Sequence, residues 1–286
     1  MAEALPERAP EAGLLHRGLG RVEFFDYARR DLEALAAALQ GLAGEGRPCF
    51  SFHAPIVRPP YFPFPGEACF FLNQDPAKRA LSFRLLADTL GEAKRWGAEY
   101  VVTHLTYGPG DTPERPLAAR LAREACDRMA GLSRESGVAI DVEFAAYSEA
   151  FDRPEDFLGV VTGHPELAIC LDLGHAFLGA ERRRRDFLGD IALLAPWARS
   201  MHLWNTRGED HKRRLGHVPL HPSQTPAAGW IDIECVLDAV LERNPSVRII
   251  YEYPVRAVTP EIQAGYDWIA AMVSCRRGAK AAAAAG

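Results

Sequence analysis

Long apolar runs are missing from this 286-residue chain: nothing approaches the roughly 20 continuous apolar residues of a membrane-spanning helix. The opening stretch MAEALPERAPEAG lacks the apolar centre of a secretory signal, so the expected setting is the cytoplasm, with no membrane partner. CxxC pairs are absent too. The six cysteines, Cys49, Cys69, Cys126, Cys170, Cys235 and Cys275, lie scattered in apolar stretches and read as buried thiols, not as disulfides or a zinc ribbon. No GxGxxG turn or P-loop follows an early strand, which sets a nucleotide-binding open sheet in second place. No GxSxG elbow occurs and no cysteine ends a strand, so Ser-His-Asp and Cys-His catalysis lack support. Positive charge is in short supply, with 33 Lys and Arg against 38 Asp and Glu and a net charge of −5. No global field gathers nucleic acid or anionic lipid, and an anionic substrate needs a local basic loop.

What is present is the balance of one globular domain, 48% hydrophobic and 25% charged. Residues 1–20 read as a poorly ordered leader, 21–275 as a single domain, and the basic, alanine-rich 276–286 as a disordered tail. Seven β-rich runs stand out: Val22–Phe25, Cys49–His53, Tyr100–His104, Ala139–Glu143, Ala168–Asp172, Ser200–His202 and Ile249–Glu252. Between them Asp31–Leu42, Pro76–Trp96, Pro116–Ser136, Pro154–Val161, Glu181–Leu194, Asp232–Arg243 and Pro260–Val273 carry helical periodicity. This alternation predicts parallel strands with right-handed crossovers, an α/β chain folded as a (β/α)8 TIM-type barrel. Its first strand is the incomplete or missing element, because only the short, glycine-rich Gly13–Leu19 is left to supply it.

Six of the seven runs end in a residue able to bind a metal: His53, His104, Glu143, Asp172, His202 and Glu252. With 9 His and 38 acidic residues in the chain, such residues fill about one position in six, so the coincidence points to one convergent site. Strand ends are where barrels do chemistry. Three imidazoles and three carboxylates crowded there call for cations to neutralise them, and a divalent metal is the economical reading.

These residues, in FHAP, VTH, DVEF, LDLGHA, MHLWN and YEY, resemble the xylose isomerase-like barrel superfamily over roughly residues 22–273. In its isomerase and epimerase branch the resemblance implies one metal held by Glu143, Asp172, His202 and Glu252, with Mn, Mg, Co or Zn suited to the oxygen-rich set. It implies a small sugar, sugar phosphate or cyclitol as substrate. Glu143 and Glu252 would exchange a proton next to a carbonyl across a metal-stabilised enediolate, with His175 beside the metal as a further catalytic group. In the endonuclease IV branch up to three zinc ions act on abasic DNA, and the additional ligands would be His53, His104, His175, Glu209 and His211. Glu209 there departs from the aspartate of that pattern. A sugar- or metal-binding barrel without turnover is the third reading, and a second copy of the chain is an expected partner.

Further residues are assigned to substrate. His53 and His104 are alternatives as ligands or substrate contacts, and Trp204, Asn205 and Arg207 follow His202, where an indole can stack on a sugar. Lys212 and Arg213, with Arg214, are candidates to clamp a phosphate. Arg182–Arg185 reads as a run opening a helix on a solvated face, and Tyr61, Phe62 and Phe64 as rings able to stack on a ligand. Residues 216–232, with His217, His221, Ser223 and Gln224, read as an ordered loop whose length suits a lid.

Overall fold

A computed structural model of the chain describes residues 20–28, 31–44, 49–255 and 257–285. Among the described residues seven parallel strands form one sheet in chain order: β1 (Val22–Phe24), β2 (Phe50–His53), β3 (Tyr100–His104), β4 (Ala139–Phe144), β5 (Leu167–Asp172), β6 (Ala198–Leu203) and β7 (Arg248–Tyr251). The sheet curls into a nearly closed barrel, and Glu23 of β1 reaches His202 of β6 across its interior at 2.8 Å. The segment Gly13–Leu19, the candidate for an eighth strand, lies outside the described residues, as does most of the expected leader.

Local chemistry explains where the helices begin and end. The helix α1 (Leu32–Gly44) follows β1. The Asp75 side chain accepts the N–H of Ala77 and Pro76 opens α2 (Pro76–Trp96), which Gly97 closes in the left-handed conformation. The helix α3 (Arg115–Ser136) likewise carries a proline in its first turn and ends on a left-handed glycine, Gly137. The helix α4 (Pro154–Val161) matches its expected bounds.

Four departures from expectation follow. The single helix Glu181–Leu194 is two: α5 (Leu173–Arg183) starts immediately after β5 because Asp172 caps it, and α6 (Phe187–Leu194) follows a break. The run Arg182–Arg185 therefore closes a helix, where cations favour the dipole, and Arg184 adopts the left-handed cap. Residues 209–215, outside every expected helix, form α7 (Glu209–Leu215), with two acids in its first turn and three basic residues in its last. After α8 (Ile233–Arg243), capped by Asp232, the helix α9 (Pro260–Ala285) runs on through the expected tail; alanine is the best helix former. Among the described residues no helix is long and apolar enough to cross a membrane.

The core lies between the outward strand faces and the helices, where Ile140, Val142, Ile169, Leu171, Met201 and Leu203 are buried. All six cysteines are free; Cys69, Cys126 and Cys170 are buried as expected, whereas Cys235 and Cys275 are exposed. The inward faces are polar below the strand ends: Ser51 donates to Glu23 at 2.7 Å and Ser200 to Asp141 at 2.6 Å.

The turn after β3 carries a testable pH effect. The Asp111 carboxylate accepts the N–H of Tyr107 at 3.0 Å and of Gly108 at 2.9 Å, yet burial outweighs both bonds and pushes the carboxyl up to about 6. Because the folded value lies above the unfolded one, the folded chain binds this proton more tightly. That contribution to stability is present below about pH 4 and is lost as pH rises through about 6. Asp111→Asn keeps an acceptor oxygen and removes the titration, so relative to wild type it should gain on the order of 1 kcal/mol between pH 5 and pH 8. Melting temperatures of both proteins across that range check this, and a relative loss by the variant contradicts it.

Candidate metal centre

The register of the sheet sets the ligand candidates in two adjacent pairs: His104 lies beside Glu143, and Asp172 beside His202 one inward-facing step further along, since Glu143 itself lies opposite Cys170. His53 ends β2, and Glu252 directly follows β7. All six expected strand-end residues therefore meet at one end of the barrel, and all are buried. Four overlapping groups have donor atoms within 4.8 Å of one another: His53, His104 and Glu143; Glu143, Cys170 and His202; Glu143, Asp172 and His175; Asp172, His202 and Glu252.

His202 is the hub. Its Nδ1 faces Glu252 Oε2 at 3.4 Å, Glu143 Oε2 at 3.6 Å and Asp172 Oδ2 at 3.8 Å. His202 Nδ1 and Glu252 Oε2 are both buried and, among the described residues, without a hydrogen-bond partner. Two orphaned polar atoms 3.4 Å apart in a buried spot are costly unless something else satisfies them. Donors held at about 2.1 Å from one ion lie about 3.0 Å apart at right angles and about 3.4 Å apart in a tetrahedron. The observed separations sit at or just beyond that range, so the residues present fit a divalent cation.

A second cluster shares Glu143. The Nδ1–H of His53 donates to the Ala54 carbonyl at 2.9 Å and that of His104 to the Glu67 carbonyl at 3.1 Å. Their Nε2 atoms point at the two Glu143 oxygens, at 3.0 and 3.1 Å. A neutral ring with Nδ1 so committed turns a lone pair toward a carboxylate, which is favourable only with the ring protonated or a cation between. Burial alone would lower His104 and raise Glu143; the pair instead holds His104 above its ordinary value, and the surrounding histidines hold Glu143 well below. Burial together with the Glu252 and Glu143 carboxylates pushes Asp172 well above the carboxylate range.

Asp172 is gripped from two sides. It accepts the backbone N–H of His175 at 2.6 Å and the Trp204 indole N–H at 3.0 and 3.1 Å. Trp204, assigned to substrate from the sequence, is fully buried and does not line the cavity described below; its ring stacks on His217 at 3.8 Å between centroids. The Nδ1–H of His217 donates to the Glu252 carbonyl at 3.0 Å. His175 shares a 2.6 Å hydrogen bond with Tyr147, while burial, with His217 beside it, drives its own value well below the ordinary one. Ala146, directly before Tyr147 in the segment after β4, adopts a left-handed φ of 49°.

A cavity of about 250 Å³ opens above these groups. Its walls include Phe25, Tyr147 and Tyr253; His53, His104, His175 and Glu252 face it, and Glu67 and Lys212 also line it. Of the residues assigned to substrate, His53, His104 and Lys212 line it; Asn205, Arg207 and Arg213 do not. Asn205 is buried and ties the 216–232 loop, donating to Gln224 and accepting the N–H of Ile231. Arg207 sits over Trp230 and Arg213 pairs with Asp210 on the surface. Glu209 pairs with Arg182, and His211 packs edge-on against Trp230; neither joins the ligand groups of the described residues. Tyr61, Phe62 and Phe64 also lie away from the cavity, in a cluster with Phe70 and Leu85. Arg183 and Arg185 both grip the buried Asp152, so the arginine run is structural. Glu23, Tyr147 and the contact of His217 escape sequence reading. The one signal for Glu23 was an acid inside an apolar strand, VEF.

The family described as xylose isomerase-like TIM barrel matches residues 14–272. Comparison with curated proteins finds no match. Among solved structures the chain resembles an L-ribulose 3-epimerase at 15% identity and a TM-score of 0.64, covering 93% of this chain and 97% of that one. It is similar to IOLI protein with a bound zinc atom at 15% identity and a TM-score of 0.65, over 91% and 90% of the two chains. The 3-keto-D-glucoside 4-epimerase YcjR from E. coli aligns at 12% identity and a TM-score of 0.58, over 85% and 86%. At such identities the likeness is one of fold.

Proposed function

The chain belongs to the xylose isomerase-like TIM barrel family, and from that premise we propose that it is a divalent-metal-dependent isomerase or epimerase of a small sugar, sugar phosphate or cyclitol. The observation that carries this reading is the convergence of three carboxylates on the orphaned Nδ1 of a buried imidazole. Glu143, Asp172, His202 and Glu252 would hold the ion. When bound, it supplies Lewis-acid polarisation of adjacent carbonyl and hydroxyl oxygens and stabilisation of the enediolate that follows proton loss. The epimerases among the structural neighbours, and the zinc of IOLI protein, support the same reading.

The chain's own groups do the rest. Burial alone would raise the Glu252 carboxyl, but His202 and His217 hold it well below the usual range, so it is ionised and ready to take a proton from carbon. Glu143 is the proposed partner that returns a proton to the other face of the same carbon. Tyr147 and His175 face the cavity as one hydrogen-bonded pair and would orient substrate hydroxyls. The aromatic walls and the volume of the cavity suit a monosaccharide-sized ligand.

The test is proton exchange. Protein loaded with Mn, Co, Zn or Mg is incubated in deuterated water with a panel of ketoses, inososes and their phosphates, and deuterium at the carbon next to the carbonyl is followed by NMR. Exchange with at least one substrate, lost on stripping with a chelator and regained on reloading, is expected. No exchange across the panel, alongside hydrolysis of abasic DNA, contradicts the proposal.

A further inference from the structure

The metal reading leaves one buried acid unused, and it touches the hub. Glu23 stands inside the barrel on β1 with no exposed surface. Its Oε1 lies 2.8 Å from Nε2 of His202, and its Oε2 accepts the Ser51 hydroxyl at 2.7 Å. Both oxygens are thus committed on the side of the imidazole opposite the carboxylates that Nδ1 faces. Glu23 is absent from every candidate ligand group among the described residues.

We propose that Glu23 is a positioning residue for the metal centre. By accepting the Nε2–H of His202 it sets the tautomer in which Nδ1 carries the lone pair, and it fixes the ring plane toward Glu143, Asp172 and Glu252. Ser51 in turn fixes the Glu23 carboxylate. An imidazole that donates one N–H to a carboxylate is a better donor at its other nitrogen and gives up less freedom on binding an ion. A merely stabilising ion pair is the weaker explanation, because buried pairs repay their desolvation poorly. An acid in the middle of a three-residue apolar strand is therefore better explained by the ligand it orients.

The proposal rests on the metal reading given above, and Co(II) titration of the full chain separates the two. Co(II) binding is measured by calorimetry and by its visible spectrum for wild type, Glu23→Gln and Glu23→Ala. Gln keeps a neutral acceptor for Nε2–H, so Glu23→Gln should melt near wild type without metal yet bind Co(II) about 10-fold more weakly; Glu23→Ala should lose up to about 100-fold. Both should alter the Co(II) spectrum, which a purely structural role would leave unmoved. Equal affinity and spectrum in wild type and Glu23→Gln overturn the role of Glu23 while the metal reading stands. No Co(II) uptake by wild type overturns both. Should Glu23→Ala fail to fold, Glu23→Gln decides alone.

Discussion

Glu252→Gln should lower turnover of the exchanging substrate by roughly 10²- to 10⁴-fold, the usual worth of a positioned acid or base. Glutamine is close in size and keeps an oxygen that can coordinate an ion, but it cannot hold the proton taken from carbon. The substituted group faces the cavity, and its backbone carbonyl remains the acceptor for His217. Retained Co(II) uptake and a nearly unchanged KM are therefore expected beside the collapsed kcat. Steady-state kinetics with metal analysis of the same samples make the check. A variant that turns over at the wild-type rate removes Glu252 from the proton transfer.

Gly174→Ala should cost both stability and metal. Gly174 is the second residue of α5, and a methyl group there would run into the indole of Trp204. Trp204 is fully buried and cannot swing into solvent, so crowding is expected to destabilise the fold by about 1–3 kcal/mol. The displaced indole also withdraws its N–H from both oxygens of Asp172. Metal affinity should fall by about 10-fold or more, the usual result of stripping the support from a ligand. Trp204→Phe separates the effects, removing the N–H without crowding Gly174. Thermal melts and Co(II) titrations measure both, and a Gly174→Ala protein with wild-type values in each contradicts this account of the Asp172 clamp.

Much of this centre was legible in the sequence because strand and ligand are chemically opposite. A run such as ICLD or VVTH is apolar until its last residue, and a parallel barrel brings all such ends to one rim. The supporting contacts were not legible, since they join residues far apart in the chain. Glu23 and His202 are 179 positions apart, and only the closing of the barrel brings them together. Trp204 beside a strand end reads as a sugar platform until packing shows its N–H on Asp172. Glu209 and His211 read as additional ligands; their stretch is a short helix in which His211 packs against Trp230. Likewise, Arg182–Arg185 closes a helix because Asp172 starts that helix eight residues earlier than its periodicity suggests.

The most direct test of the central claim is metal content per chain, by elemental mass spectrometry on protein purified without chelator or metal-binding tag. Wild type, His202→Ala and His211→Ala are measured side by side. The account predicts a divalent ion in the wild-type chain that is lost in His202→Ala and kept in His211→Ala. A metal content unchanged by losing His202, or one that falls when His211 is removed, would contradict it.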